Sequence, residues 1–343
     1  MENRKIQNII KGFVVVGIII LAVIIGLTSL IQPDIIPADS DAKEFSADRA
    51  MKHIIAISQK PHPIGSEEHV KVRNYIINQL EILGLEPEVQ TETVTSVRKN
   101  GRVINVSTVS NVIARIKGTG LNLNSAICLM GHYDTVPMTT GASDNGSAVA
   151  TLLETARALL AGPSIENDVI LVFTDDEEYT QSGAKAFFDK HPWAEEIELV
   201  LNYEGIGNTG PSILLETGQG NKKLISEFAN VVSNPLAQSW LFTVYKLTPM
   251  NTDFNSALEK GILGYNFIYM DGGTVYHTLL DNPETIDMRS LQHHGSYTLS
   301  LILHFGNKNI SETIKSKEDS IYFSPFLGVL IKVPIRFGSG LTS

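Results

Sequence analysis

Hydrophobic and polar positions follow two rhythms along this chain, with apolar runs of strand length alternating with stretches of helical period. Asn111 to Ile116, Ala126 to Met130, Val169 to Thr174, Leu199 to Tyr203 and Ile262 to Tyr269 read as strands. The run "VILVFT" from Val169 is nearly all apolar, as a strand covered on both faces requires. Ser66 to Leu83, Gly146 to Leu160, Asn221 to Val232 and Met288 to His304 read as helices. Ser66 suits an N-cap, Glu67 and Glu68 the first turn, and Gly84 the stop, while Val70, Tyr75, Ile76, Leu80 and Leu83 can share one face. Strands alternating with helices predict an α/β domain with a mostly parallel central sheet flanked by helices.

One segment belongs to neither rhythm. Gly12 to Ile31 carries no charge and, at about 1.5 Å per residue, reaches about 30 Å, the thickness of a hydrocarbon core. It is longer than the roughly 7–15 apolar residues of a cleaved signal peptide and reads as an uncleaved transmembrane anchor. Arg4, Lys5 and Lys11 precede it and Asp34, Asp39 and Asp41 follow, so the N-terminus is expected in the cytoplasm and the rest outside or in a lumen. This divides the chain into a basic N-terminus (1–11), an anchor (12–32), a Pro- and acid-rich linker (33–46), a main domain (47–306) and a tail (307–343). The stretch 321–343 is apolar but interrupted by Lys332 and Arg336, and is expected to be the cut-short start of a membrane region or an interfacial segment.

Composition narrows the function. The 343 residues are 43% hydrophobic and 19% charged, enough for a sizeable core. A net charge of −10 argues against nucleic acid as the main partner. Cys128 is the single cysteine and lies in an apolar run, so a metal here is held by His, Asp and Glu. Asn105, Asn145 and Asn309 open N-x-S triplets, but a glycan on Asn145 would block the site described next.

Ligands in open α/β sheets bind beyond the carboxyl ends of the strands. Ala126 to Met130 is followed by His132, Asp134 and Asp144, and Val169 to Thr174 by "DDEE", Asp175 to Glu178. Leu199 to Tyr203 is followed by Glu204, and Ile262 to Tyr269 by a loop holding His277 and Asp281. So many carboxylates around two imidazoles repel one another unless cations offset them, and the mixed donor set suits zinc. A pair of ions needs a bridging carboxylate, and Asp144, on a loop of small residues, is placed for that role.

The blocks "GHYDTVP", "GASDNGSA", "DDEEYTQSGAKAF", "LNYEGIGNTG" and "YHTLLDNPETI" occur in an order that resembles the M28 metallopeptidases, from near His53 to near Phe305. "LNYEGIG" and "SLQHHGSYTLSLILHFGN" most resemble its membrane-anchored branch, which includes endoplasmic-reticulum and vacuolar-membrane members. The resemblance implies two Zn²⁺ ions, with His132 and Glu204 on one, Glu178 and His277 on the other, and Asp144 between them. It implies Glu177 as general base and Asp134 as acceptor from the far nitrogen of His132, fixing its tautomer. Glu204 departs from the Asp usual in soluble aminopeptidases. The implied activity is hydrolysis of peptide bonds in a peptide or small-protein substrate, as an aminopeptidase. A non-catalytic, membrane-anchored binding module of the same fold is the rival, and a glutaminyl cyclase, which works with one metal, the third reading.

Other polar residues have plainer readings. His62 belongs to a Pro-rich turn, and His293-His294 to an exposed helix face. Asp175 and Asp176 are solvated loop acids or groups that tune the base. Asp281 bonds a loop or orients His277, and Asp253 suits a helix N-cap better than a substrate contact. Tyr203, Tyr245, Tyr265 and Tyr276 read as core, with room for one to stabilise an oxyanion.

Overall fold

The computed structural model describes residues 2–28, 32–97, 103–120, 125–248, 251–326 and 328–335. It begins with helix α1 (Glu2–Thr28), whose window Gln7–Ile24 has a mean hydropathy of 2.2 and buries nothing against the rest, so it is long and apolar enough to cross a membrane. Then come α2 (Ala47–Ile57), α3 (Glu67–Ile82), β1 (Glu88–Val97), β2 (Val103–Ile116), β3 (Ala126–His132), α4 (Gly146–Ala161) and β4 (Asp168–Thr174). A short α5 (Glu177–Thr180) and α6 (Ser182–Lys190) lead to β5 (Ile197–Gly205), β6 (Ile213–Glu216), α7 (Lys222–Val231), α8 (Ser239–Tyr245) and α9 (Phe254–Glu259). The rest is β7 (Leu263–Tyr269), α10 (Met288–Phe305), α11 (Ile310–Ile314), β8 (Ser320–Phe326) and β9 (Val329–Pro334).

The main sheet has the order β1-β2-β4-β3-β5-β7-β6. Its four middle strands, β4, β3, β5 and β7, run parallel, and antiparallel strands close both sides. Helices cover both faces, which is why the middle strands read as apolar throughout. On β3, Ile127 and Leu129 pack into one core with Leu152 of α4 and Leu301 of α10, while Cys128 and Met130 pack into the other with Phe187 of α6 and Phe254 of α9. Alternate side chains of a strand point to opposite faces, so a strand buried twice has no polar phase.

The structure departs from the sequence reading where packing overrides pattern. β1 and the first half of β2 went unread because "EVQTETVTSV" mixes Thr and Glu with Val, as suits a side of the sheet half in water. On α3, Ser66 caps by accepting from the His69 N–H, but the buried face is His69, Val72, Ile76 and Leu80, and Val70 stays 39% exposed. His293 and His294 are not on an exposed face: α10 packs against α2, α4 and α7, and both imidazoles are buried. The tail does not continue as a helix either, because β8 and β9 pair as an antiparallel hairpin; residues 336–343 lie outside the described residues.

Candidate metal centre

The acid and imidazole groups converge at the carboxyl ends of the four parallel strands. His132 ends β3, Glu177 and Glu178 follow β4 at the start of α5, Glu204 lies near the end of β5, and His277 stands in the loop after β7. Asp144 lies just before α4, whose N-cap Asn145 accepts from the Ala148 N–H. Gly205 lets this loop close on β5, since a Cβ there would stand 2.6 Å from the Ser143 carbonyl oxygen. His277 has a left-handed backbone, φ 57°, and Asp176, φ 57°, turns the chain just ahead of Glu177. Such backbone costs on the order of 1–3 kcal/mol for a non-glycine residue and persists where surrounding contacts hold it.

Asp144 sits between the two imidazoles. Its Oδ1 is 3.3 Å from Nε2 of His132, and its Oδ2 is 3.2 Å from Nε2 of His277. Glu204 Oε2 lies 3.7 Å from His132 Nε2, and Glu178 Oε2 lies 2.9 Å from His277 Nε2. Ligand atoms about 2.0–2.2 Å from one tetrahedral ion stand roughly 3.3–3.6 Å apart, close to most of these separations. Suitable atoms of His132, Asp144 and Glu178 all fall within 4.8 Å of one another. Nε2 of both histidines, Oδ2 of Asp144 and Oε1 of Glu178 are buried without any hydrogen-bond partner. Buried polar atoms are nearly always satisfied, so a cluster of orphans that are all metal-ligand types fits a cation.

The electrostatics agree. Burial by itself would lower the His132 pKa, yet Asp134, Asp144 and Glu204 hold it well above the ordinary histidine value. Burial pushes Glu177 well above the carboxylate range, and Glu204, Asp253 and Glu178 add to the effect against His132. Burial and then the Asp144 charge raise Glu178 to about 7. Asp144 is lowered instead: burial would raise it, but the close approach of the His132 and His277 imidazoles outweighs that.

A second layer holds these groups by their backbones. The Asp134 carboxylate accepts the N–H groups of Glu177 and Glu178 at 3.1 and 3.3 Å. It is 3.5 Å from Nδ1 of His132, which also lies 3.0 Å from the Asp134 backbone carbonyl, so both oxygens face the same ring nitrogen. Asp281 accepts from the N–H groups of Ser143 and Asp144 at 2.7 and 3.1 Å, and so holds the Asp144 loop instead of orienting His277. Asp175 is no solvated loop acid: it is buried, accepting from the Ser110 N–H and lying 2.9 Å from Nε2 of His69. Asp176 is buried too, and accepts from the Thr180 hydroxyl.

This arrangement agrees with a profile match. The profile of Peptidase family M28 covers residues 111–302, which include all seven site residues the sequence singled out. The chain belongs to peptidase family M28. Among curated M28-like relatives it is 29% identical over 285 residues to a vacuolar membrane protease of Candida dubliniensis, covering 81% of this chain and 30% of that protein. It is 27% identical over 320 residues to endoplasmic reticulum metallopeptidase 1 of Mus musculus, covering 86% of this chain and 35% of that protein. The chain thus spans about a third of the length of these relatives. A zinc aminopeptidase from Bacillus subtilis shares the fold, with a TM-score of 0.61 at 16% identity over 80% of this chain and 98% of that one. A glutaminyl cyclase from Porphyromonas gingivalis shares it at 0.60 and 21% identity, over 76% and 98%.

Sequence reasoning left several residues of this candidate site in other roles. Asp253 caps nothing with its side chain; it is buried, bonded to the Thr174 hydroxyl, and raised to about 8, first by burial and then by the carboxylates of Glu204 and Asp134 against His132 and Thr174. Tyr245 and Tyr276 line a cleft of about 40 Å³ with Asp144, Glu177 and Glu204, while Tyr203 and Tyr265 are core. Asn202 donates to Glu204 Oε1 at 3.1 Å and to Asn266 at 2.9 Å. Its signal was present: a polar residue inside an apolar strand, two positions before Glu204 and therefore on the same face. The sequon residue Asn145 is buried and donates to the Tyr203 carbonyl, which leaves no room for a glycan. A separate cavity of about 880 Å³ shares no lining residue with this cleft.

Proposed function

We propose that this chain hydrolyses peptide bonds as a two-zinc aminopeptidase, anchored by α1 with its folded domain on the extracytoplasmic or luminal side. His132 and Glu204 would hold one ion, Glu178 and His277 the other, and Asp144 both. The observation that carries this reading is the split of Asp144, one oxygen toward each imidazole at 3.3 and 3.2 Å. Two zinc ions there would supply Lewis acidity toward a peptide carbonyl and make water a better nucleophile near neutral pH.

The chain's own groups do the proton work. Glu177 stands 3.9 Å from His132 Nε2 and faces the cleft, so it can take the proton of the attacking water on a carboxylate oxygen. It then gives that proton to the departing amine nitrogen, so that water is divided between an acid and an amine. Burial among carboxylates makes it a stronger proton acceptor than an exposed glutamate. Asp134 keeps Glu177 in place through its N–H, and so acts as a positioning residue.

Glu177→Gln should retain zinc, read by elemental analysis, while hydrolysis of amino-acid anilides falls about 10²–10⁴-fold. Near-wild-type turnover in that variant would remove Glu177 as the base. Zinc analysis of the wild type also separates the rivals: about one ion together with cyclisation of an N-terminal glutamine favours the cyclase, and no zinc favours the binding module.

A further inference from the structure

We propose that the β8–β9 hairpin and helix α8 form a lipid-facing surface, so that the folded domain lies against the bilayer instead of standing off it on the linker. The proposal rests on the reading of α1 as a membrane anchor. In the hairpin register Ile321 pairs with Val333 and Phe323 with Ile331, so all four side chains project from one face. They are 49%, 48%, 36% and 39% exposed. The opposite face is the one that packs, with Tyr322 and Ser324 buried. The alternation is inverted for a surface hairpin in water, where the uncovered face should be polar.

α8 repeats the pattern at helical spacing. Trp240 and Val244 stand at i and i+4 on α8, Leu247 follows in the turn just beyond it, and the three are 59%, 49% and 84% exposed. α8 packs on β8, and Trp240 and Ile321 share the rim of the 880 Å³ cavity between them. Two adjoining elements therefore present apolar stripes outward, a pattern that marks an interaction surface and not scattered exposure.

The bilayer is the occupant because of what β8 touches. α1 comes close to β8, although its apolar window Gln7–Ile24 buries nothing there and stays free to meet lipid. An element in contact with a membrane-spanning helix lies at the membrane, and its uncovered apolar face is within reach of lipid. Trp240 is suited to the headgroup boundary, where an indole buries its ring and keeps its N–H wet, and apolar faces of this size sink about 5–10 Å into that boundary.

Cys128 is buried, so single introduced cysteines can report position. The full chain would be reconstituted in phosphatidylcholine vesicles and labelled with an environment-sensitive fluorophore at Ile331→Cys or Trp240→Cys. Val106→Cys, 60% exposed at the other side of the sheet, serves as the aqueous control, and Ile18→Cys on α1 as the anchor control. Ile331→Cys and Trp240→Cys labels should be quenched several-fold more by nitroxide lipid, and several-fold less by iodide, than the Val106→Cys label. Iodide quenching equal to Val106→Cys would overturn the proposal, and so would protection from both quenchers, which would mean that protein covers the face. An Ile18→Cys label unquenched by nitroxide lipid would overturn the anchor and the proposal together, whereas a quenched one isolates a failure to the hairpin.

Discussion

At the scale of single residues the candidate site depends on acids that hold backbone. Asp281 is raised to about 6, chiefly by burial and then by Asp144, against the N–H groups it accepts from Ser143 and Asp144. Its two oxygens fix the backbone at Asp144 and just before it. Asp281→Asn would replace one acceptor by an N–H₂ group facing an N–H donor. Zinc retention against a competing chelator should weaken about 10–100-fold, the usual cost of losing a group that orients a metal ligand. Unchanged retention would mean that the loop holds its shape without this carboxylate. Among the candidate site residues, those at or just after the end of an apolar strand were legible in sequence, as with His132, Glu178 and Glu204. Asp253 was not, because nothing local distinguishes a buried acid beside a metal centre from a helix cap.

At the scale of elements, α10 makes tighter contacts than its sequence implies. It passes so near the segment leading into α2 that a Cβ on Gly295 would stand 2.1 Å from the buried Phe45 ring. Gly295→Ala should therefore destabilise by about 1–3 kcal/mol through overpacking, even though alanine favours helix. A urea midpoint equal to wild type would show that Phe45 gives way. The same close packing buries His293 and His294: Ser212 donates its N–H to Nδ1 of His293, and its hydroxyl lies 2.7 Å from Nδ1 of His294. A histidine pair reads as surface by composition, and only the neighbours on every side of α10 make it interior. The five central strands were legible because burial on both faces leaves mostly apolar runs. β1 and the hairpin strands were not, because half-exposed strands carry mixed or inverted alternation.

At the scale of the whole molecule, the fold concentrates acids that cost stability until a cation offsets them. Glu178 is raised from 4.5 to about 7 and Asp253 from 3.8 to about 8, first by burial in each case. Between those limits the folded chain binds more protons than the unfolded one, so without metal its stability falls as pH rises, by at most about 1.4 kcal/mol per group per pH unit. Bound zinc removes most of that loss. The gap in melting temperature between zinc-loaded and chelated protein should therefore widen from about pH 5 to about pH 8. A constant gap would mean that these carboxylates are not offset by the metal.

The sequence alone determined the α/β class, the apolar helix at the N-terminus and which residue types gather after the strands, because these follow from periodicity and local order. It also placed Asp144 on a loop of small residues where chains can approach closely. Only the tertiary structure decided that Asp144 turns one oxygen to each imidazole, that Asp134 and Asp281 each hold two backbone N–H groups, and that the hairpin's apolar face points outward. Those are relations between segments far apart in the chain, and a pattern of near neighbours carries no information about which distant groups share a small, dry volume.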